Sequence, residues 1–201
     1  MGLGNPAEPR FLCEGERMTE LSTPAAHVLH VGAGSTTLPH WMRYGRETRL
    51  DINPAFGTDI VADMADIPEY VGTDVGPFDV VYAAHCLEHV AAHRTQACLE
   101  GWRRVLKPGG IVLIFVPDLG GLEPTDDVVY ISDAGPITAR DMFYGHKDAI
   151  AAGCVYMQHL TGFTQASLRK ELEQAGFVDV TVHCTGHTVI PYNLVATGRA
   201  P

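Results

Sequence analysis

Apolar and polar positions along the chain follow two alternating rhythms. His27 to Val31 is a short, mostly apolar run that stops at Gly32, which predicts a buried strand and a tight turn. Thr36 to Tyr44 predicts a short helix with Pro39 early in it. Arg46 to Ile52, Asp59 to Ala62 and Phe78 to Tyr82 predict three more strands. Arg94 to Leu106 has helical spacing, with Cys98, Leu99, Trp102, Val105 and Leu106 on one face, and Pro108-Gly109-Gly110 stops it. Ile111 to Val116 is an unbroken apolar strand rich in β-branched residues. Thr164 to Ala175 predicts a helix ended by Gly176. Val178 to Cys184 and Thr188 to Ala196 predict two last strands, antiparallel to each other. Residues 11–21 predict a further short helix ahead of the core.

Strand and helix in repetition predict an α/β fold: a doubly wound, mostly parallel sheet with helices on both faces. Residues 117–162 break the rhythm with turns, aromatics and short helical patterns. A stretch of that length inside a compact domain reads as a functional insertion after the fifth strand, a lid or substrate cover on a single domain of residues 1–201.

Composition narrows the function classes. The 201 residues carry 24 acidic and 14 basic side chains, a formal charge of −10, with no basic patch to offset it, so no nucleic-acid partner is expected. Five cysteines without a C-x-x-C pair read as buried small hydrophobes of a reducing compartment. No apolar stretch of about 18 residues is present, so no membrane span is expected and the protein reads as cytoplasmic. A homodimer through an apolar helix face or an edge strand is left open.

In a parallel sheet, ligands bind outside the carboxyl ends of the strands, which singles out the residues that follow each strand. Gly32-Ala33-Gly34 lets the backbone approach a ligand without a Cβ in the way. Asp51, at the end of the second strand, is a carboxylate able to accept both hydroxyls of a ribose. Asp63-Met64 follows the third strand, a carboxylate for an amino group beside an apolar side chain for a ring.

Together with Phe78-Asp79-Val80-Val81, Leu87-Glu88-His89-Val90, Arg104-Val105-Leu106-Lys107-Pro108-Gly109-Gly110 and Gly176-Phe177, these blocks form an ordered series. It resembles the class I S-adenosylmethionine-dependent methyltransferases, closely over residues 27–116 and loosely over 159–197. The resemblance implies a Rossmann-like, seven-stranded sheet with the last strand antiparallel, and S-adenosylmethionine as cofactor. By position it implies that Gly32, Ala33 and Gly34 pass the methionine part and that Asp51 and Ile52 hold the ribose. Asp63 and Met64 would face the adenine, and Ala84 and His85 would line the cleft near the sulfonium. This chain departs from the family's pattern at His30, where an acidic residue is usual, and at Thr36, where a third glycine is usual.

The resemblance implies methyl transfer to a small-molecule or saccharide acceptor by in-line displacement. A hydroxyl acceptor needs a base, and His159, His85 and His146 are the candidates by position. The insertion also carries Asp118, Asp126, Asp127, Tyr130, Asp133, Tyr144, Tyr156 and Gln158 for contacts to an acceptor. Glu88 and His89 read as ordering the local backbone. The spacings of His85, His89 and His93, and of His183 and His187, are those of metal ligands on a helix, but the first set overlaps the L-E-H-V block, which the resemblance implies binds no metal, the second falls at an expected strand end and turn, and no metal is expected. A nicotinamide-dependent oxidoreductase would need Gly where Thr37 stands. The alternative reading is a cofactor-binding partner or regulatory protein without catalysis, which His30 and Thr36 favour.

Overall fold

A computed structural model describes residues 26–42, 45–132, 135–185 and 192–201. The helix expected at residues 11–21 and the ligand candidate His187 lie outside these residues. A seven-stranded sheet organises the rest. Its strands are β1 (His27–Val31), β2 (Arg46–Asp51), β3 (Ile60–Val61), β4 (Phe78–Ala84), β5 (Leu106–Pro117), β8 (Val178–Cys184) and β9 (Asn193–Arg199). A separate hairpin, β6 (Val128–Ser132) with β7 (Gly135–Thr138), stands in the insertion.

The order across the sheet is β3-β2-β1-β4-β5-β9-β8. The pairs β1 with β2, β1 with β4, β2 with β3 and β4 with β5 are parallel, whereas β9 runs antiparallel to both β5 and β8. The doubly wound fold with an antiparallel last strand is therefore as expected from the sequence. The chain winds away from β1 in both directions, which opens a crevice at the carboxyl ends of β1 and β4.

Each face of the sheet has its own core. On one, Leu29, Val31, Val81, Ala83, Val112 and Ile114 pack against helix α1 (Thr95–Val105) and helix α4 (Gln165–Gln174) through Leu99, Trp102, Leu168 and Leu172. On the other, Val28, Val80, Tyr82, Leu113 and Phe115 pack against Leu38 and Met42. The alternation inside β1 and β4 follows from the period of two along a strand. Trp102 is wholly buried, and its indole N–H donates to the Met64 carbonyl at 3.0 Å, which ties α1 to the turn after β3. Helix α4 starts at a capping box, Thr164 with Ser167.

Three local expectations are corrected. The helix expected over Thr36–Tyr44 is, among the described residues, only a 3-10 turn at His40–Met42. Leu38 precedes a proline, which disfavours the helical region, and the β-branched Thr36 and Thr37 add little helix propensity. The last strand begins at Asn193 and continues to Arg199, past the expected end at Ala196. Strand β4 extends to Ala84, so Ala84 belongs to the strand and His85 is the first residue beyond it. The insertion also holds more regular structure than its sequence suggests: the β6–β7 hairpin, helix α2 (Ala139–Tyr144), helix α3 (Lys147–Ala151) and a 3-10 turn at Val155–Met157.

Candidate active site

A cavity of about 640 Å³ lies at the carboxyl ends of β1, β2 and β4. Gly32, Gly34, Thr36, Asp51, Ile52, Asn53 and Phe56 line one side, and Asp63, Met64, His85, Cys86, His89 and Arg94 line the floor. Residues 153–158 and Leu160 of the insertion form the remaining wall.

The turn after β1 is shaped by two glycines with positive φ, +60° at Gly32 and +50° at Gly34. A Cβ on Gly32 would stand 2.5 Å from the Cβ of Cys86, so only glycine fits there. Gly34 donates its N–H to Asp51 Oδ2 at 2.8 Å, and Asn53 donates its N–H to Oδ1 at 2.8 Å. These two bonds orient the nearly buried Asp51 carboxylate and leave each oxygen a further lone pair toward the cavity. Arg49 braces the loop from behind, donating from Nη2 to the carbonyls of Gly34 (2.7 Å) and Thr36 (3.2 Å).

Asp63 is already engaged: Oδ1 accepts from the Ala65 N–H at 2.9 Å, and Oδ2 accepts from Arg94 Nη1 at 2.9 Å. Met64 lines the floor beside it. Ala33 and Ala84 do not line the cavity; Ala33 is fully buried beneath the turn. His30 faces the opposite side of the sheet, where its Nδ1 meets Glu47 Oε1 at 2.8 Å and its ring lies edge-on to Tyr82. Burial holds the His30 imidazole pKa below its usual range, against the raising effect of Glu47. Thr36 stays at the mouth of the cavity and donates its hydroxyl to the Ala33 carbonyl at 2.8 Å.

The three candidate bases part company. His85 lines the cavity with φ of +52°, its Nδ1 3.5 Å from Glu88 Oε1 and its Nε2 accepting from the Asn193 amide at 3.1 Å. His146 caps helix α3, where its Nδ1 accepts from the Ala149 N–H, and does not line the cavity. His159 lies behind the wall; it donates from Nδ1 to the Met142 carbonyl at 2.8 Å, and burial lowers its pKa.

His85, His89 and His93 do not share a helix face, because Leu87–His89 and Ala92–Arg94 are separate 3-10 turns. His89 turns instead toward His159, their ring centres 5.1 Å apart, and donates from Nδ1 to the Gln158 carbonyl at 2.9 Å. Glu88 is 2% exposed, and its carbonyl accepts from the N–H groups of Leu160 and Thr161, which pins the end of the insertion. Burial works to raise the Glu88 carboxyl pKa, and the neighbouring His85 and His89 outweigh it, leaving it below the usual range. Among the described residues, Glu88 Oε2 has no hydrogen-bond partner. Arg94, Asn193, Phe56, Val155 and Met157 escaped the sequence reading, whereas Tyr156 and Gln158 of the same wall were among its candidates. Their positions depend on how distant segments meet, and no spacing signals that.

Known proteins bear on this geometry. A family model described as a methyltransferase domain matches residues 10–182. No curated protein matches the sequence. Among solved structures, the chain is similar to the S-adenosylmethionine-dependent methyltransferase SibL in its apo form, with a TM-score of 0.56 at 23% identity over 94% of this chain. The chain spans about half of SibL, 53% of its length. It is also similar to a SAM-dependent methyltransferase from Archaeoglobus fulgidus (TM-score 0.58, 16% identity, 92% of this chain and 90% of that one). A third is the Burkholderia thailandensis 1,6-didemethyltoxoflavin-N1-methyltransferase with bound 1,6-didemethyltoxoflavin and S-adenosylhomocysteine (TM-score 0.51, 19% identity, 87% and 71%).

Proposed function

We propose that this chain, which belongs to the methyltransferase domain family, transfers a methyl group from S-adenosylmethionine to a small-molecule acceptor with an apolar face. The observation that carries the reading is the joined geometry of Gly32 and Asp51: a turn that admits no Cβ, locked by the Gly34 N–H to a carboxylate that lines the cavity at the end of β2. The cavity volume, about 640 Å³, lies in the range of small-molecule sites.

When bound, the cofactor supplies an electrophilic methyl group on a sulfonium, which an acceptor takes by in-line displacement. The residues of the chain orient the partners and keep water out, and orientation of this kind is worth roughly 7–11 kcal/mol in favourable systems. Gly32 and Gly34 give the methionine end backbone contact. Asp51 holds the ribose hydroxyls with its free lone pairs, with Ile52 beside it. Asp63, steadied by Arg94, takes the adenine amine, and Met64 lies along the ring.

On the acceptor side, Val155, Tyr156, Met157 and Leu160 are all at least 40% exposed while lining the cavity, an apolar wall suited to a flat, apolar molecule. His85 is the candidate base that opens on the cavity, held by Glu88 and Asn193. We assign residues 117–162 as the acceptor cover.

Calorimetric titration of the full chain with S-adenosylmethionine and S-adenosylhomocysteine tests the reading. We expect micromolar binding that Asp51→Ala weakens at least about tenfold, or ~1.4 kcal/mol. Absence of binding by folded protein would sink the proposal. Binding without turnover on any acceptor panel would favour a non-catalytic partner role.

A further inference from the structure

We propose that Glu88, His89 and His159 bind a divalent first-row transition cation of the Zn²⁺ type at the acceptor end of the cavity. One ligand atom from each residue lies within 4.8 Å of the other two, close enough for a cation to draw them together. The three come from two segments, the turn after β4 and the end of the insertion, which the Glu88 carbonyl holds to each other.

Two features of the cluster point to a ligand rather than to a structural knot. Glu88 is almost fully buried, yet among the described residues its Oε2 has no partner, while Oε1 faces His85. An anionic oxygen taken from water and left unpaired is costly, and a cation is the partner that removes the cost. Both imidazoles are also set for metal binding. Each donates from Nδ1 to a backbone carbonyl, His89 to Gln158 and His159 to Met142, so Nδ1 carries the proton and Nε2 keeps its lone pair. Backbone partners of this kind fix the tautomer and ring orientation of metal-ligating histidines.

The donor set identifies the class of ion. Two imidazoles and one carboxylate suit Zn²⁺ and its neighbours, whereas Mg²⁺ and Ca²⁺ require mostly oxygen. Three protein ligands leave a coordination position open, and His89 lines the cavity, so that position faces the acceptor side. There the ion acts as a Lewis acid that holds and polarises an acceptor oxygen. That use rests on the function proposed above; the binding does not.

The test titrates the chelator-treated full chain with Co²⁺, followed by its ligand-field absorption, with Zn²⁺ and Mg²⁺ as competitors. We expect saturation at one equivalent and displacement by Zn²⁺ but not by Mg²⁺. His159→Ala and, separately, His89→Asn should lower the affinity at least about tenfold, the lower end of what loss of an outer-shell partner costs. His93→Ala, at an exposed position, should bind as the parent does. Circular dichroism establishes that each variant is folded. No saturable binding, or equal binding in both ligand variants, overturns the site, as does a loss in His93→Ala. S-adenosylhomocysteine binding measured in parallel separates the two proposals: a chain that binds the nucleoside but fails to bind Co²⁺ overturns the cation site alone, and a chain that binds Co²⁺ but not the nucleoside overturns the cofactor reading alone.

Discussion

At the scale of single residues, Gly32 shows how backbone geometry becomes chemistry. Its φ of +60° costs an L-residue about 1–2 kcal/mol, and the Cβ of an alanine would meet Cys86 at 2.5 Å. Gly32→Ala should therefore lower the melting temperature and reduce S-adenosylhomocysteine affinity at least about tenfold; parental values in both measurements would mean the turn is not the cradle we describe. His30 illustrates a different constraint. Burial lowers the pKa of its imidazole, so on acidification the folded state takes up fewer protons there than the unfolded chain, whose histidines titrate near ~6.5. Stability is then full above that pH and declines as pH falls toward the lowered folded value. Melts from pH 7.5 to 5 should show a smaller decline for His30→Gln than for the parent chain, and an unchanged slope would remove His30 as a cause. The position itself was conspicuous in the sequence. Its orientation, toward Glu47 and Tyr82 and away from the cavity, follows from strand parity with Val28, which the sequence also contains.

At the scale of elements, legibility followed the hydrophobic signal. Ile111–Val116 and the helix around Trp102 were plain, because an unbroken apolar run and a 3.6-residue stripe each have one good reading. The segment from Thr36 was misread because its apolar residues are too few to override Leu38-Pro39. The hairpin Val128–Thr138 was missed because Val128 and Ile131 are exposed, 54% and 70%, so the alternation of a buried face is absent. The stretch 153–160 lines one wall of the cavity and is tied to the body through Leu160 and Thr161, which donate to the Glu88 carbonyl, and through the Gln158 carbonyl, which accepts from His89. If it closes over a ligand, its amide exchange should slow on S-adenosylhomocysteine binding while that of β6 and β7 changes less. Equal protection of both segments, with and without the nucleoside, would contradict a covering role.

At the scale of the whole molecule, the ordered blocks from Val28 to Gly110 were enough to expect the sheet, its antiparallel last strand and the end at which ligands sit. The half of the cavity built by the sheet's own turns was readable for the same reason: those residues follow strands in order. In the half built by the insertion, Tyr156 and Gln158 were legible as candidates, but not how that segment meets the sheet. His89 and His159 are joined only by folding, and neither the L-E-H-V block nor the insertion hints at the other. Among the described residues no helix is long and apolar enough to cross a membrane.

Strand β9 has a consequence for how the molecule comes into being. It is the last strand of the sheet in sequence, yet it lies between β5 and β8, pairing Pro117 with Asn193 on one side and Val182 with Ala196 on the other. During synthesis, β1 to β5 can pair as they emerge, but β8 has no neighbour until β9 slots in against the direction of β5. Asn193, the first residue of β9, also brings the amide that meets His85. A growing chain thus carries an open sheet edge and an unfinished site together, and a single late insertion closes both.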